Sequence, residues 1–128
     1  MTSMLEPTTD LRALKVGLIT TYPPSRCGIA RYSSLLVDTL STMRPAFEID
    51  VVRLVSEKCS EIVNGESLMT IIPDLDISIR TAARRLNRCD VVLVQHEYGI
   101  FGKNDGESVL QLLDLLDTPV VSVLHTVP

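Results

Sequence analysis

The sequence predicts an α/β fold, with a mostly parallel sheet of about five strands and helices on both of its faces. Short apolar runs alternate along the chain with stretches whose apolar residues recur at helical spacing. The runs are nearly continuous in apolar residues, which is typical of strands covered on both faces. Polar side chains follow several runs directly, at the carboxyl ends of strands, where open α/β sheets bind their ligands.

The first strand is predicted at 16–20, and two prolines end it at Pro23 and Pro24 because proline cannot continue a ladder. A helix ending near Pro45 follows, with one apolar face formed by Ile29, Tyr32, Leu36, Val37, Leu40 and Met43. The second strand is predicted at 47–55, and its most buried candidates are Val51, Val52, Leu54 and Val55.

Residues 56–67 are ambiguous, since Ser56 could cap a short helix or the whole segment could be a loop. The choice matters because a parallel return needs a crossover of about a dozen residues. A hairpin would instead make the third strand, at 68–72, an antiparallel edge strand. Both settings remain open at this point.

Asp74 or Asp76 is expected to cap the second helix, whose inner face is Ile79, Ala82, Ala83 and Leu86. Strand four follows at 91–94. The next helix begins with a possible capping box formed by Asn104 and Glu107 and carries an apolar stripe of Val109, Leu112, Leu113 and Leu116.

Strand five is predicted at 119–124. Right-handed crossovers place strands one and four side by side at the centre of the sheet, with a switch of direction between them. Three loops then converge at one edge, namely 21–28, 95–105 and 125–128. We expect any ligand site to lie among these loops.

The length and composition of the chain limit the number of domains and the kinds of partner that it can have. We expect one domain over 14–128, preceded by a flexible tail at 1–13, since domains commonly contain about 100 to 150 residues. The net charge of -4 argues against nucleic acid as a partner. A cluster of arginines is interpreted as a solvated helix face; its members are Arg80, Arg84, Arg85 and Arg88.

The three cysteines, Cys27, Cys59 and Cys89, are too far apart for a typical zinc motif, and an odd number makes a poor disulfide framework. They indicate a reducing compartment. No signal peptide or long apolar run occurs. A cytoplasmic protein is therefore expected, and peripheral membrane contact stays open.

Gly28 lies at the start of the first helix, where free backbone N–H groups and the helix dipole favour an anion such as a phosphate. Arg26 is a candidate for a second anion contact. The alternatives are a glycine required by the turn and an arginine in solvent. A further hypothesis is a hydrolase in which Cys27, at the helix start, is the nucleophile and His96 or His125 pairs with it, but no local motif supports it.

His96 and Glu97 end strand four and His125 ends strand five, so both histidines lie at the predicted ligand edge. They could act as a general base or polarising group, or form loop hydrogen bonds. Asp74 and Asp76 have the spacing of a metal-binding carboxylate pair, but capping is the favoured interpretation.

Three segments, ITTYPPSRCGIARYSSLL, VVLVQHEYGIFGKNDGE and PVVSVLHTVP, together resemble the N-terminal domain of group 1 or family 4 retaining glycosyltransferases of the GT-B architecture. The resemblance covers roughly 14–128. It implies a Rossmann-like domain that mainly binds the acceptor, facing a second domain that binds the nucleotide-sugar. It also implies a nucleotide-sugar as co-substrate, a sugar or glycolipid acceptor, no further cofactor and no metal.

The resemblance assigns roles to individual residues. It implies that Gly28 and Arg26 lie on the donor-phosphate side, with Cys27 standing where many family members have another glycine. It implies that His125, in the motif LHT, lies near the transferred sugar as a candidate catalytic residue. The implied acceptor side comprises Gln95, His96, Glu97, Tyr98 and Thr126.

Neither a donor domain nor the family's E-x7-E motif occurs in these 128 residues. We therefore expect a domain truncated at its C-terminal end, inactive until a donor domain is supplied in cis or in trans. The exposed flank of the domain beside strand five is expected to associate readily with other molecules. The alternative function is a non-enzymatic Rossmann-like module that binds a phosphorylated ligand or a partner.

Overall fold

The computed structural model describes residues 13–24, 27–55, 68–97, 100–101 and 106–125. These residues form an α/β domain with one five-stranded sheet in which every pair of neighbouring strands is parallel. In chain order the elements are β1 (Lys15–Thr20), α1 (Gly28–Met43), β2 (Glu48–Leu54), β3 (Leu68–Ile71), α2 (Asp76–Leu86), β4 (Val91–His96), α3 (Ser108–Leu115) and β5 (Val120–Leu124).

The strand order is β3-β2-β1-β4-β5, so β1 and β4 lie side by side as predicted. Ile19 of β1 is in register with Val52 on one side and Val94 on the other. β3 is parallel to β2, which decides between the two settings that the sequence left open. The alternation of strands and helices therefore produces a doubly covered parallel sheet, consistent with a Rossmann-like fold. The ambiguous segment 56–67 lies outside the described residues.

The main core lies between the sheet and the pair α2 and α3. The predicted inner face of α2 is confirmed, since Ile79, Ala82, Ala83 and Leu86 are all buried. They pack with side chains of the central strands and of α3, namely Ile19, Val52, Val92, Val94, Val109 and Leu112. Burial of this apolar surface is the main favourable contribution to folding.

The predicted inner face of α1 is only partly correct. Tyr32 and Met43 are exposed, whereas the buried residues of the helix are Ala30 and Ser33. The buried Ser33 hydroxyl is satisfied by a hydrogen bond with the Thr20 hydroxyl of β1, at 2.7 Å. Small side chains at these positions let α1 lie close to the strand, and a pattern of large apolar residues does not reveal such a contact.

The predicted cap of α2 is wrong. The N-cap residue is Leu75, which makes no side-chain capping bond, and Asp76 is the first residue of the helix. Asp76 instead accepts hydrogen bonds from Arg80, one turn later, and from Gln111 of α3. These two bonds lower the pKa of the exposed Asp76 carboxyl, and its charge lies at the favourable end of the helix dipole.

The predicted capping box of α3 is also wrong in its position. Glu107, expected in the first turn, is itself the N-cap residue and makes no side-chain capping bond. Gly106 precedes it with a φ of 78°, a conformation that side chains rarely adopt. Asn104 lies outside the described residues. The helix described there therefore begins at Ser108, later than the sequence predicts.

Gly17, in the central strand β1, is required by close packing. A Cβ atom built there would lie 2.7 Å from Leu86 Cδ2 and 3.0 Å from Cys89 Sγ. We expect Gly17→Val to lower the free energy of unfolding by about 1–3 kcal/mol, because the core has no room for the added groups. Gly28→Ala is the matched control, since nothing lies within 4 Å of its Cβ position. Urea unfolding followed by circular dichroism measures both, and equal losses would contradict the packing argument.

Candidate functional site

The candidate site lies at the carboxyl edge of the sheet, where β1, β4 and β5 end. The chain leaves β1 for α1 on one face of the sheet, whereas α2 and α3 cover the other face. Neighbouring strands whose connections depart to opposite faces leave a crevice at their carboxyl ends. The described residues that follow β1, β4 and β5 in the chain all lie at this edge.

Cys27 and Gly28 form the start of α1. The N-cap residue is Cys27, whose sulfur accepts a long hydrogen bond from the Ala30 amide at 3.4 Å and lies 3.1 Å from the Thr21 hydroxyl. Gly28 is exposed, with open space where a side chain would be. A ligand could therefore approach the first-turn amides of α1 closely. Arg26 lies outside the described residues.

These contacts bear on the idea of a nucleophilic cysteine. The hydrogen-bonding partners of the Cys27 sulfur within the described residues are Thr21 and Ala30, and neither histidine is among them. A Cys–His pair of the kind that activates a thiol is therefore not formed in this part of the structure.

Gln95 and His125 are joined directly across β4 and β5. Gln95 is completely buried, and its Oε1 lies 2.7 Å from Nε2 of the exposed His125. The His125 backbone amide donates to the carbonyl of His96 at 2.9 Å, which extends the strand pairing to the histidine itself. The ring of Tyr32, on α1, meets the His125 ring edge-on with centroids 5.6 Å apart.

The Gln95 amide is incompletely satisfied. Its Nε2 has no hydrogen-bond partner within the described residues. A buried donor left without a partner costs about 1–3 kcal/mol. The four β4 residues before Gln95 are three valines and a leucine. For stability alone, an apolar residue would therefore suit position 95 better than glutamine.

His96 lies on the other face of the sheet, because successive strand residues point to opposite faces. Its ring stacks on the buried ring of Phe101 with centroids 5.8 Å apart. Glu97 is half-buried and follows directly. The two other predicted acceptor-side residues, Tyr98 and Thr126, lie outside the described residues. The structure therefore brings Gln95 and His125 together and directs His96 towards the α2 and α3 side.

Arg53 is a buried residue that sequence reasoning missed. It lies one residue before the end of β2, in register with Thr20 of β1. It is completely buried and donates from Nε to the Tyr22 carbonyl at 3.1 Å. It therefore ties the loop after β1 to the sheet. The sequence did contain a signal, since a single arginine interrupts the apolar run VVRLV. Charged side chains are almost never fully buried unless they have partners.

The loop after β1 is also held by polar contacts. The Thr20 hydroxyl donates to the Thr21 carbonyl at 2.8 Å. Burial raises the pKa of the Tyr22 hydroxyl, although a hydrogen bond with Ser34 partly opposes the shift. The peptide bond between Pro23 and Pro24 is cis. The hydrogen bonds at Thr21, Tyr22 and Cys27 anchor the described loop residues that a ligand would meet at this edge.

A cleft of about 680 Å³ lies at the opposite edge of the sheet. Its walls include Lys15, Glu48 and Asp50 at the starts of strands, together with Arg84 and Arg85 of α2 and Arg88 just after that helix. None of the predicted site residues that the structure describes lines it. The prediction of a solvated arginine face is confirmed for Arg80, Arg84 and Arg88, which are exposed. It is wrong for Arg85, which is half-buried against Asp50.

We place the candidate site at the carboxyl edge rather than in this cleft. Ligands of open parallel sheets bind where strands end and the chain direction switches. The most buried charged groups of the cleft, Asp50 and Arg85, already satisfy each other through three hydrogen bonds of 2.6 to 2.9 Å.

Neither a protein-family model nor a curated protein matches the chain. Within the described residues, no group of three or more His, Cys, Asp and Glu side chains is arranged to hold a metal ion. In the same part of the chain, no helix combines the length and the apolar character needed to cross a bilayer. The fold assigns the described part of the chain to the α/β proteins whose parallel sheet is covered by helices on both faces.

Proposed function

We propose that this chain is the acceptor-side domain of a retaining glycosyltransferase of the GT-B architecture, acting together with a nucleotide-sugar-binding domain. The observation that carries the proposal is the contact geometry of His125. It meets Tyr32 from the first of the three family-like segments and Gln95 from the second, and it belongs to the third. Segments distant in sequence therefore meet at one histidine.

The parts of the site have chemistry suited to this role. The open amides at the start of α1, beside Gly28, suit the diphosphate of a nucleotide-sugar. The exposed imidazole of His125 can hydrogen-bond to a sugar hydroxyl. Neither function requires a metal ion. Arg26, if it reaches the diphosphate, would add a bidentate anion contact.

The acceptor would bind on the side of β4. His96 and Glu97 are half-buried at the end of this strand, and Tyr98 and Thr126 follow the ends of β4 and β5 in sequence. Imidazole, carboxylate and hydroxyl groups are suited to a sugar acceptor, including the head group of a glycolipid. We propose a cytoplasmic location, which a nucleotide-sugar donor would suit, with peripheral membrane contact if the acceptor is a lipid.

Transfer requires donor and acceptor to be held in one geometry, so the proposal needs a second domain. That domain would come from further sequence of the same polypeptide or from another chain. Without it, the edge described above would contact only part of the donor.

The test is reconstitution. The purified chain is combined, or fused, with isolated family 4 donor domains, and release of nucleotide from UDP-glucose, UDP-N-acetylglucosamine and GDP-mannose is measured. We expect at least one pairing to release nucleotide, and His125→Ala to reduce this release at least tenfold. Leu110→Ala, at an exposed position of α3, is the control and should have no effect. Inactivity in every pairing, or full activity of His125→Ala, would contradict the proposal.

A second candidate is a non-enzymatic module that binds a phosphorylated ligand or a partner. The outer strand β5 favours it, because Val121 and Leu124 are 50% and 58% exposed. Exposed apolar strands at the edge of a sheet readily pair with other chains. Light scattering that reveals a dimer unaffected by His125→Ala and Gly28→Ala, combined with failed reconstitution, would favour this function.

A further inference from the structure

We infer that Gln95 is a positioning residue for His125: it holds the imidazole with its proton on Nε2, so that Nδ1 is offered to the ligand as a hydrogen-bond acceptor. This inference rests on the proposed function and names the kind of group that His125 receives. That group is a donor, such as a sugar hydroxyl, rather than a phosphate oxygen.

The direction of the hydrogen bond carries the first step. The atom of Gln95 that faces His125 is Oε1, at 2.7 Å from Nε2. An amide oxygen can only accept, so Nε2 of the imidazole must donate. A neutral imidazole carries one N–H, and its other nitrogen is then an acceptor. Within the described residues the His125 side chain makes no other hydrogen bond, and the residue is exposed.

The surroundings restrict how the ring can move. Gln95 is completely buried on the strand next to β5, so the acceptor oxygen is fixed by the sheet. Tyr32 meets the imidazole edge-on from α1, at an interplanar angle of 78°. The ring is therefore held from two separate elements. The exposed side of His125 is left for a ligand.

The energetic cost of burying the Gln95 amide indicates that this residue has a role other than stabilising β4. Its Nε2 is buried without a partner in the described residues, which an apolar residue at this position would avoid. Within the described residues, the Gln95 side-chain amide makes one hydrogen bond, between its Oε1 and His125. The glutamine is thus better explained by the orientation of His125 than by the stability of β4.

The test combines histidine-selective ¹⁵N NMR with the reconstituted assay. The chain has two histidines, and His96 lies on the opposite face of the sheet, so it is an internal reference. At about pH 8, where an ordinary imidazole is neutral, we expect the His125 proton on Nε2 to exchange slowly with water. In Gln95→Leu and in the shorter Gln95→Asn its exchange should be at least tenfold faster. Gln95→Glu keeps an acceptor oxygen at the same reach and should preserve the slow exchange.

Stability and activity should separate. Gln95→Leu should melt at the same or a higher temperature than the wild type, because a buried unpaired donor is removed. Nucleotide release by the reconstituted enzyme should nevertheless fall at least tenfold in the Leu and Asn variants and be largely kept in Gln95→Glu. This pattern is not expected of a residue that only fills space.

Three results would overturn the inference: a His125 proton on Nδ1, slow exchange that does not depend on Gln95, or full nucleotide release by Gln95→Leu. Failure of the proposed function is distinguishable from these. If the wild type releases no nucleotide in any pairing, the glycosyltransferase role falls, and the NMR experiment still decides whether Gln95 holds the imidazole.

Discussion

Arg85→Met should lower the free energy of unfolding by about 3 kcal/mol, towards the lower end of the range for broken buried ion pairs. Arg85, on α2, donates three hydrogen bonds to the Asp50 carboxylate of β2, and this bonding raises the pKa of its guanidinium. The Asp50 side chain is only 9% exposed, so the variant leaves a nearly buried charge without its cation. The neighbouring cleft, which admits water, moderates the loss.

Two further variants isolate the cause. In Asp50→Leu/Arg85→Met both charges are absent, and most of the lost stability should return because no buried charge is left alone. Arg80→Met removes the exposed partner of Asp76 and should have little measurable effect, since exposed ion pairs contribute little. Chemical denaturation of all three gives the comparison. If the double variant were no more stable than Arg85→Met, lost packing rather than the uncompensated charge would be responsible.

Phe101→Ala should have the other large effect, a loss of about 3–5 kcal/mol in the free energy of unfolding. Phe101 is completely buried in the core beneath α2 and α3, although it lies in the connection after β4 and not in a helix or strand. Its removal leaves a cavity and also takes away the ring on which His96 stacks. Typical domains are stable by about 5–15 kcal/mol, so the variant should be close to unfolding.

Phe101→Leu and Leu110→Ala are the matched controls. Leucine keeps much of the buried apolar volume, so its loss should be about 1 kcal/mol. Leu110 is exposed on the nearby helix α3, so shortening it should change stability by no more than about 0.5 kcal/mol. Thermal and urea unfolding measure the series. A small effect of Phe101→Ala would mean that the connection after β4 does not contribute to the core as the structure indicates.

The order and type of the described elements could be predicted because their signals are local. The apolar run at 91–94 indicates a strand covered on both faces, and the helical spacing of Ile79, Ala82, Ala83 and Leu86 indicates a helix with one buried face. The pairing of β1 with β4 follows from the alternation of strands and helices together with the handedness of crossovers. The starts of the helices were harder to predict from the sequence, since Leu75 and Glu107 occupy N-cap positions without side-chain capping bonds.

The candidate site was predictable only in outline. That His125 and Gln95 end strands can be seen in the sequence, because polar residues follow apolar runs there. That Gln95 is buried and bonds to His125 depends on the register of β4 against β5. The same holds for Arg53, whose buried position beside the loop after β1 results from its neighbours in the sheet.

By itself, then, the sequence determined the fold class, the central place of β1 and β4, and the edge at which His125 ends its strand. The tertiary structure decided that β3 is parallel, that α1 packs through Ala30 and Ser33, and that Arg85 pairs with Asp50. The physical reason is the range of the interactions. Periodicity and chain-breaking residues act over a few neighbours, whereas hydrogen bonds such as Gln95 to His125 join residues 30 positions apart and exist only once the strands are aligned.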